Sequence, residues 1–289
     1  MNKYVAVPLA VLAFMAGIGF STLLWNVTTR EPAFAMNVEG NFGAVVTVTT
    51  TGTPASEGRQ IRELIAGEGR VIDADNQVLL RATKFTAAGD EWSQVADLPT
   101  IVSGVANKSS VGKLADVVVG KHEGTRLAVI DPLADRTSMI IVDILPTRVT
   151  GQVQSQPTDP LIPVVSSDDD GVPVVGGVST PIDNVRIFPV VSGQGAQVTQ
   201  DDVVYANYVL AHADGTPIEN TFTNGNPPAY IAVEDVFPGL HAGLLDQRVG
   251  SRIAISVPAA QAQGEEDVLI VLDILAISDE KPSAKNTSV

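Results

Sequence analysis

Few side chains of this 289-residue sequence could carry covalent or metal chemistry. Cysteine is absent, which excludes thiol nucleophiles, disulfides and cysteine-ligated metal sites. The only histidines are His122, His212 and His241, so a multi-histidine metal centre would need nearly all of them. The run Asp168–Asp170 lacks the alternating spacing of a calcium loop and favours a solvated turn. We therefore expect no metal and no cofactor.

Composition and charge narrow the classes of partner. The formal net charge is −15, which predicts no nucleic-acid partner, because the phosphates would be repelled rather than neutralised. Hydrophobic residues make up 45% of the chain but aromatic residues only 5%, so the cores must consist of Val, Ile, Leu and Ala. The length is comfortable for two domains of ordinary size.

The N-terminal segment predicts export. No charged residue lies between Lys3 and Arg30, and the stretch from Tyr4 to Trp25 is apolar over about the 20 residues that a helix needs to cross a bilayer. Two alternatives remain open. The segment is an uncleaved membrane anchor with the bulk of the chain outside the cytoplasm, or it is a signal peptide cleaved after Ala35, which leaves a secreted protein.

The remaining chain repeats itself. Gly124–Pro132 resembles Gly250–Pro258 at an offset of 126 residues, and two further glycine-containing sites show the same offset. Met139–Leu145 resembles Leu269–Leu275 at an offset of 130. The sequence therefore predicts a duplicated domain whose second copy carries four extra residues before its last strand.

Each copy has mainly the pattern of β-strands. Strands are predicted at Asp202–Leu210, Arg252–Val257 and Val268–Ile277, and Pro238–Leu244 has helical spacing. One short helix against an antiparallel sheet gives an α+β domain. The predicted divisions are a signal or anchor segment at 1–35, a first domain at 38–147, a linker at 148–180, a second domain at 181–278 and a disordered tail at 279–289.

The order of motifs in the second copy resembles the FKBP-type peptidyl-prolyl isomerases. The corresponding stretches are Gly193–Gly195, Tyr208, Asp214–Glu219, Val236–Leu240, Gly243–Arg252, Val257–Gly264 and Leu269–Asp273. The resemblance covers about residues 181–278, and the first copy at lower quality. It implies two FKBP-like domains, each an antiparallel β-sheet wrapped on one short helix, after the N-terminal transmembrane or signal helix.

The resemblance also implies a set of pocket residues in the second copy. The catalytic positions are Tyr208, Glu219, Val236, Phe237, Leu240, Gln263 and Ile270, and further pocket walls are Ile218, Tyr230 and Ala262. Five of these positions depart from the family pattern. Ile218 stands where Phe is usual, Glu219 where Asp is usual, Leu240 where Trp is usual, Gln263 where Tyr is usual and Ile270 where Phe is usual.

The first copy departs further. At the same offset, Tyr208 corresponds to Ala82, Ile218 to Trp92, Glu219 to Ser93 and Leu240 to Leu114, and the loop around Gln263 has no counterpart.

The function implied is prolyl cis-trans isomerisation that assists the folding of extracytoplasmic proteins, with activity in the second copy and a scaffold role for the first. The partners would be proline-containing polypeptides, with the membrane contacted through the N-terminal helix. The alternative is a non-catalytic binding or chaperone module that keeps the fold and uses the altered pocket.

Overall fold

A computed structural model describes residues 34–52, 54, 58–88, 91–95, 100–132, 137–149, 151, 153–154, 158–222, 226–264 and 266–278. In those residues no helix is both long and apolar enough to span a membrane. The predicted signal or anchor segment lies outside them except for Phe34 and Ala35, and so does the predicted tail after Ser278.

Two six-stranded antiparallel sheets dominate the structure. The strands of the first sheet are β3 (Gln60–Ile65), β4 (Gln77–Ala88), β5 (Glu91–Gln94), β6 (Thr100–Val105), β7 (Arg126–Pro132) and β8 (Thr137–Leu145). Those of the second are β11 (Arg186–Val191), β12 (Val203–His212), β13 (Pro217–Asn220), β14 (Ala229–Ala232), β15 (Arg252–Val257) and β16 (Val268–Ile277). We refer to the first sheet with the segments packed on it as domain one, and to the second as domain two.

The two sheets have the same strand order. Domain one is ordered β3-β7-β8-β4-β5 with β6 also on β4, and domain two is ordered β11-β15-β16-β12-β13 with β14 also on β12. Gly124–Pro132 and Gly250–Pro258 thus contain equivalent strands, as the repeat predicts. The coarse fold prediction, two antiparallel sheet domains with few helices, is confirmed.

Helices are short in both domains. Domain one has a 3₁₀ turn at Gly112–Leu114 followed by α1 (Ala115–Val118). Domain two has α2 (Pro238–Leu244) at the predicted position, with 3₁₀ turns at Val233–Asp235 and Ala259–Gln261. Each helix covers one face of its sheet. Alternate residues such as Val204 and Ala206 on β12 join Leu244 of α2 in one buried cluster, as strand geometry requires.

The opposite face of each sheet is covered by a small hairpin. In domain one this hairpin is β1 (Ala35–Glu39) with β2 (Thr47–Thr51), and in domain two it is β9 (Val165–Ser167) with β10 (Pro173–Val175). Val165 and Val175 are buried against Ala254 and Val271 of the second sheet. The segment that composition predicts to be a linker therefore supplies part of the core of domain two.

A buried ion pair joins each hairpin to its sheet. In domain two, Arg252 on β15 binds both carboxylate oxygens of Asp273 on β16, at 2.6 and 2.8 Å. The remaining guanidinium donors bind the hairpin through Ser167 Oγ at 2.8 Å and Gly171 O at 3.0 Å. The second carboxylate oxygen of Asp273 also accepts from Val149 N at 2.8 Å.

Domain one repeats this arrangement. Arg126 binds Asp143 at 2.6 and 2.7 Å and donates to Gly40 O and Asn41 O in the β1–β2 turn, both at 2.8 Å. Asp143 accepts from Gly43 N at 2.7 Å. Both guanidinium groups therefore satisfy their charge and their donors inside the protein, which a buried charge requires.

The two domains pack directly on each other. Leu79 and Leu145 of domain one form a buried cluster with Tyr205, Leu275 and Ala276 of domain two. Next to it, a cavity of about 630 Å³ is lined by both domains, including Phe42, Arg81, Val149, Val249 and Ile277.

Breaking the Arg252–Asp273 ion pair tests how much it contributes to the free energy of unfolding. We expect Arg252→Met to destabilise the protein by about 3–5 kcal/mol, because Asp273 would remain buried without a counter-charge. The matched control is Arg59→Met. The Arg59–Asp131 pair has side chains 33% and 30% exposed, and its loss should cost at most about 1 kcal/mol. Chemical denaturation of both full-length variants measures the difference, and equal losses would contradict this account.

Candidate active site

The candidate site lies where α2 crosses the second sheet. Pro238 at the first helical position suits a helix start, because its missing N–H would have no partner there. Gly239 and Gly243 let the helix approach β15, since a Cβ on either glycine would overlap the side chain of Val257 or Ile255. The helix is therefore held close to the strands that carry the other site residues.

Six of the ten predicted pocket residues come together here. They belong to the hydrophobic cluster between α2 and the sheet: Tyr208, Val236, Phe237, Leu240, Ala262 and Ile270. Ile270 is 2% exposed and forms the floor of the cluster, whereas the other five are only partly buried. This combination gives an apolar surface with a solvent-facing side.

Tyr208 and Glu219 form the polar element of the site. Leu210 pairs with Glu219 across β12 and β13, so Tyr208, two residues earlier on β12, shares a sheet face with that carboxylate. Burial of the phenol, followed by the interaction of its hydroxyl with the Glu219 carboxylate, raises the pKa of Tyr208 above its ordinary value. Tyr208 thus stays a neutral donor.

The structure places three predicted residues away from this cluster. Ile218 lies in the bulge between β12 and β13 and is 48% exposed. Gln263 is exposed in the loop after the last 3₁₀ turn. Tyr230 pairs with Tyr205 across β14 and β12, on the sheet face opposite the helix, with ring centroids 5.6 Å apart.

Sequence reasoning missed residues that hold the site in place. Asp267 accepts from Ala259 N and from Ile182 N, at 2.9 and 2.8 Å, and so fixes the base of the loop that contains Gln263. Thr221 Oγ1 accepts from Tyr208 N at 2.8 Å, and Asn207 lies next to Tyr208 with its side chain fully buried. The sequence signal for this region is Asn207, an amide side chain directly before the site tyrosine in the otherwise apolar and aromatic run 203–210.

The equivalent region of domain one lacks the polar pair. Leu114 packs against the helix-side cluster as Leu240 does. Trp92, however, packs with Phe85 and Val46 on the hairpin side of the sheet. Ala82 stands in the place of Tyr208, and Val95, opposite Lys84, stands in the place of Glu219, so this copy offers neither a phenol nor a carboxylate there.

Other chemistry has little support in the part of the chain that the structure describes. No three His, Asp or Glu side chains in it are grouped as metal ligands would be. His122 Nδ1 lies 2.8 Å from Gly69 O, and His212 Nδ1 lies 3.0 Å from the Glu266 carboxylate. The interdomain cavity is lined by none of the ten predicted pocket residues, so the candidate site is the helix-side cluster and not that cavity.

Comparison with known proteins points to the same region. Residues 194–271 match the family model of the FKBP-type peptidyl-prolyl cis-trans isomerases. The chain is 28% identical over 116 residues to the FKBP-type peptidyl-prolyl cis-trans isomerase FkpA of Escherichia coli, in strains K12, O6:H1 and O157:H7 alike. That alignment covers 38% of the chain and 42% of the relative, so the chain spans less than half the length of these relatives. The matches support the prediction of an FKBP-type family.

Solved structures of peptidyl-prolyl isomerases and of FKBP domains are similar to part of the chain. The crystal structure of FkpA from Escherichia coli is 20% identical, with a TM-score of 0.30, over 39% of this chain and 51% of that one. A peptidyl-prolyl cis-trans isomerase from Pseudomonas syringae is 16% identical, with a TM-score of 0.29, over 40% and 81%. The three FKBP domains of wheat FKBP73 are 12% identical, with a TM-score of 0.31, over 76% and 94%.

The pair of Tyr208 and Glu219 gives a measurable titration. We expect Tyr208 to ionise above the ordinary tyrosine pKa of about 10. Because its folded-state pKa is raised, its contribution to stability is full below pH 10 or so and decreases as the pH rises through the folded-state pKa. Glu219→Gln should lower the pKa of Tyr208, since the negative charge facing the phenol is removed.

Carbon-13 NMR of ring-labelled tyrosine, with Tyr208→Phe to assign the signal, follows this ionisation. Identical Tyr208 titrations in the wild type and in Glu219→Gln would show that the carboxylate has no influence.

Proposed function

We propose that domain two is a peptidyl-prolyl cis-trans isomerase that acts on proline-containing polypeptides and assists their folding. The observation that carries this proposal is the apolar helix-side cluster with Tyr208 and Glu219 at its edge, inside the region that matches the isomerase family model. The chain covers only part of its relatives, so activity, clients and partners are all proposals here.

The proposed chemistry needs no nucleophile and no metal. The barrier to rotation is amide resonance, about 18–20 kcal/mol, and uncatalysed X-Pro rotation takes tens to hundreds of seconds. An apolar surface formed by residues such as Val236, Phe237 and Leu240 removes water from the imide and so weakens the charge-separated resonance form. It also favours the twisted imide over the planar one, which is differential binding of the transition state.

Tyr208 would act as a positioned donor. Its hydroxyl keeps its proton because burial and Glu219 raise its pKa, so its single O–H can turn from the carboxylate to a peptide carbonyl when a client binds. Such a donor would hold a client carbonyl other than that of the imide, because a bond to the imide oxygen would strengthen the resonance that the rotation must break.

We propose that the activity is weak and confined to domain two. The site has Leu240 and Ile270 at positions where the family pattern has aromatic residues, and each such replacement removes about 1–2 kcal/mol of apolar contact. Every 1.4 kcal/mol is about tenfold in rate. Domain one lacks the tyrosine and the carboxylate, which supports a scaffold role for it.

A second candidate is a non-catalytic binding module of the same fold. Ile270 is almost fully buried, and Ile218, Gln263 and Tyr230 lie away from the cluster, so the apolar surface presented to a client is smaller than the resemblance implies. A surface of this kind could hold an extended chain without accelerating its isomerisation.

We also propose that the chain is exported and anchored through residues 4–25. The uncharged run after Lys3 supports an anchor. In the structure, Phe34 packs on the hairpin-side cluster. The guanidinium carbon of Arg62 lies over the Phe34 ring, 4.9 Å from the ring centroid. Cleavage after Ala35 would remove that contact, which favours an uncleaved anchor.

Truncating one leucine in each domain tests the assignment of activity. We expect Leu240→Ala to lower kcat/KM about tenfold for a proline-containing peptide, because it removes apolar contact with the imide. Leu114→Ala, its matched control in domain one, should leave kcat/KM within a factor of about two. Both are measured in the full-length protein by a proline-limited isomerisation assay.

Two other results would redirect the proposal. Equal losses in the two variants would overturn the assignment of activity to domain two. A wild-type protein without activity that binds proline-containing peptides, and binds them more weakly after Leu240→Ala, would favour the non-catalytic module.

The anchor has its own test. After expression with export intact, we expect the protein in the membrane fraction with its domains accessible to protease from outside. N-terminal sequencing of the mature protein should then find residues ahead of Phe34. A mature chain that begins at Met36 would instead establish cleavage and a released protein.

A further inference from the structure

A buried polar network joins the two domains directly behind Tyr208. Its central residue is Asn207, which is fully buried on β12 and points away from α2. Asn207 Nδ2 donates to Gln77 Oε1 at 3.0 Å and to Thr147 O at 2.9 Å, both in domain one. Asn207 Oδ1 accepts from Thr221 Oγ1 at 3.0 Å.

The network reaches the backbone of the site tyrosine. Thr221 Oγ1 accepts from Tyr208 N at 2.8 Å, and Thr221 N donates to Tyr208 O at 3.0 Å. Gln77 Nε2 donates to Thr221 O. Gln77 of domain one therefore binds β12, which carries Tyr208, and the residue that directly follows β13, which carries Glu219.

Domain one also binds the far end of the segment that joins β13 to β14. Ser103 Oγ on β6 donates to Pro228 O at 2.8 Å, just before β14. Residues Thr221 and Pro228 bound the crossing from β13 to β14, so domain one fixes both ends of it.

Domain one is itself braced behind these contacts. Thr147 is fully buried, donates from Oγ1 to Glu123 at 2.6 Å and accepts from Arg70 at 2.9 Å. Arg70 also binds Glu123 at 3.1 Å and the backbone carbonyl of Gln77 at 2.9 Å. Gln77, Asn207 and Thr147 are buried with these bonds made, so displacing any of them would leave a polar group without a partner or water.

We propose that Gln77 of domain one is a positioning residue for the site of domain two, and that domain one holds the β12–β13 pair in the geometry that aims Tyr208. This inference rests on the proposed function and deepens it, since it assigns the degenerate copy a role in that reaction. Gln77 touches no client. It acts through Asn207 and Thr221, and Ser103 supports it at the far end of the crossing.

The test uses Gln77→Met in the full-length protein, which keeps the shape of the side chain and removes its hydrogen bonds to Asn207 and Thr221. The amide hydrogens of Tyr208 and Thr221 should then exchange about tenfold faster, while Val271 in the middle of the sheet is unchanged. The kcat should fall about three- to tenfold with KM nearly constant, because donor aim and not client contact is lost.

The matched control is Ser256→Ala. Ser256 is fully buried on β15 and its hydroxyl donates to Leu161 O, so this variant loses one buried hydrogen bond away from Gln77, Asn207 and Thr221. It should leave both readouts at their wild-type values. Ser103→Ala serves if Gln77→Met does not fold, and it should show a smaller effect in the same direction.

The outcomes separate the two claims. Unchanged exchange at Tyr208 in the folded Gln77→Met variant, or an equal change in Ser256→Ala, would overturn the positioning role. A wild-type protein without isomerase activity would refute the proposed function alone, because the exchange measurement still decides whether domain one orders Tyr208.

Discussion

Each domain depends on one buried ion pair between an arginine and an aspartate on neighbouring strands. Arg252 and Asp273 are 4% and 0% exposed as side chains, and Arg126 and Asp143 are 2% and 3% exposed. Such a pair tolerates burial only if its remaining donors and acceptors are satisfied. The hairpin carbonyls and backbone amides provide these partners, so the pair fixes two central strands and the covering hairpin together. The hairpin closes one face of the sheet in this way, and the candidate site lies on the helix face.

The site follows from that arrangement. Glycines in α2 bring the helix against β15, and the alternation along β12 and β16 presents Tyr208 and Ile270 to it. On the reverse side of β12, the position next to Tyr208 must face domain one, and it is a buried asparagine. The two faces of one strand thus serve two purposes, an apolar site on one side and a polar interdomain joint on the other.

Much of this could be predicted from local patterns. The helix at Pro238–Leu244 and the strands Arg252–Val257 and Val268–Ile277 were predicted with the same limits, because their glycine, proline and β-branched residues fix the boundaries locally. Tyr230 shows where such reasoning fails, since a shift of one residue in strand register moves a side chain to the other face. The polar joint between the domains could not be predicted from the sequence either, because Gln77 and Asn207 are 130 positions apart and meet only in the folded chain.

The joint also makes the two copies unequal. Gln77 of the first copy binds Asn207 and Thr221 of the second, so unlike surfaces of the repeat meet in a head-to-tail contact. At the repeat offset of 126, the second copy has Val203 in place of Gln77. Val203 is 1% exposed and has no side-chain amide. The second copy can therefore accept this contact but cannot make it in turn, so the order of the two copies along the chain matters for the joint.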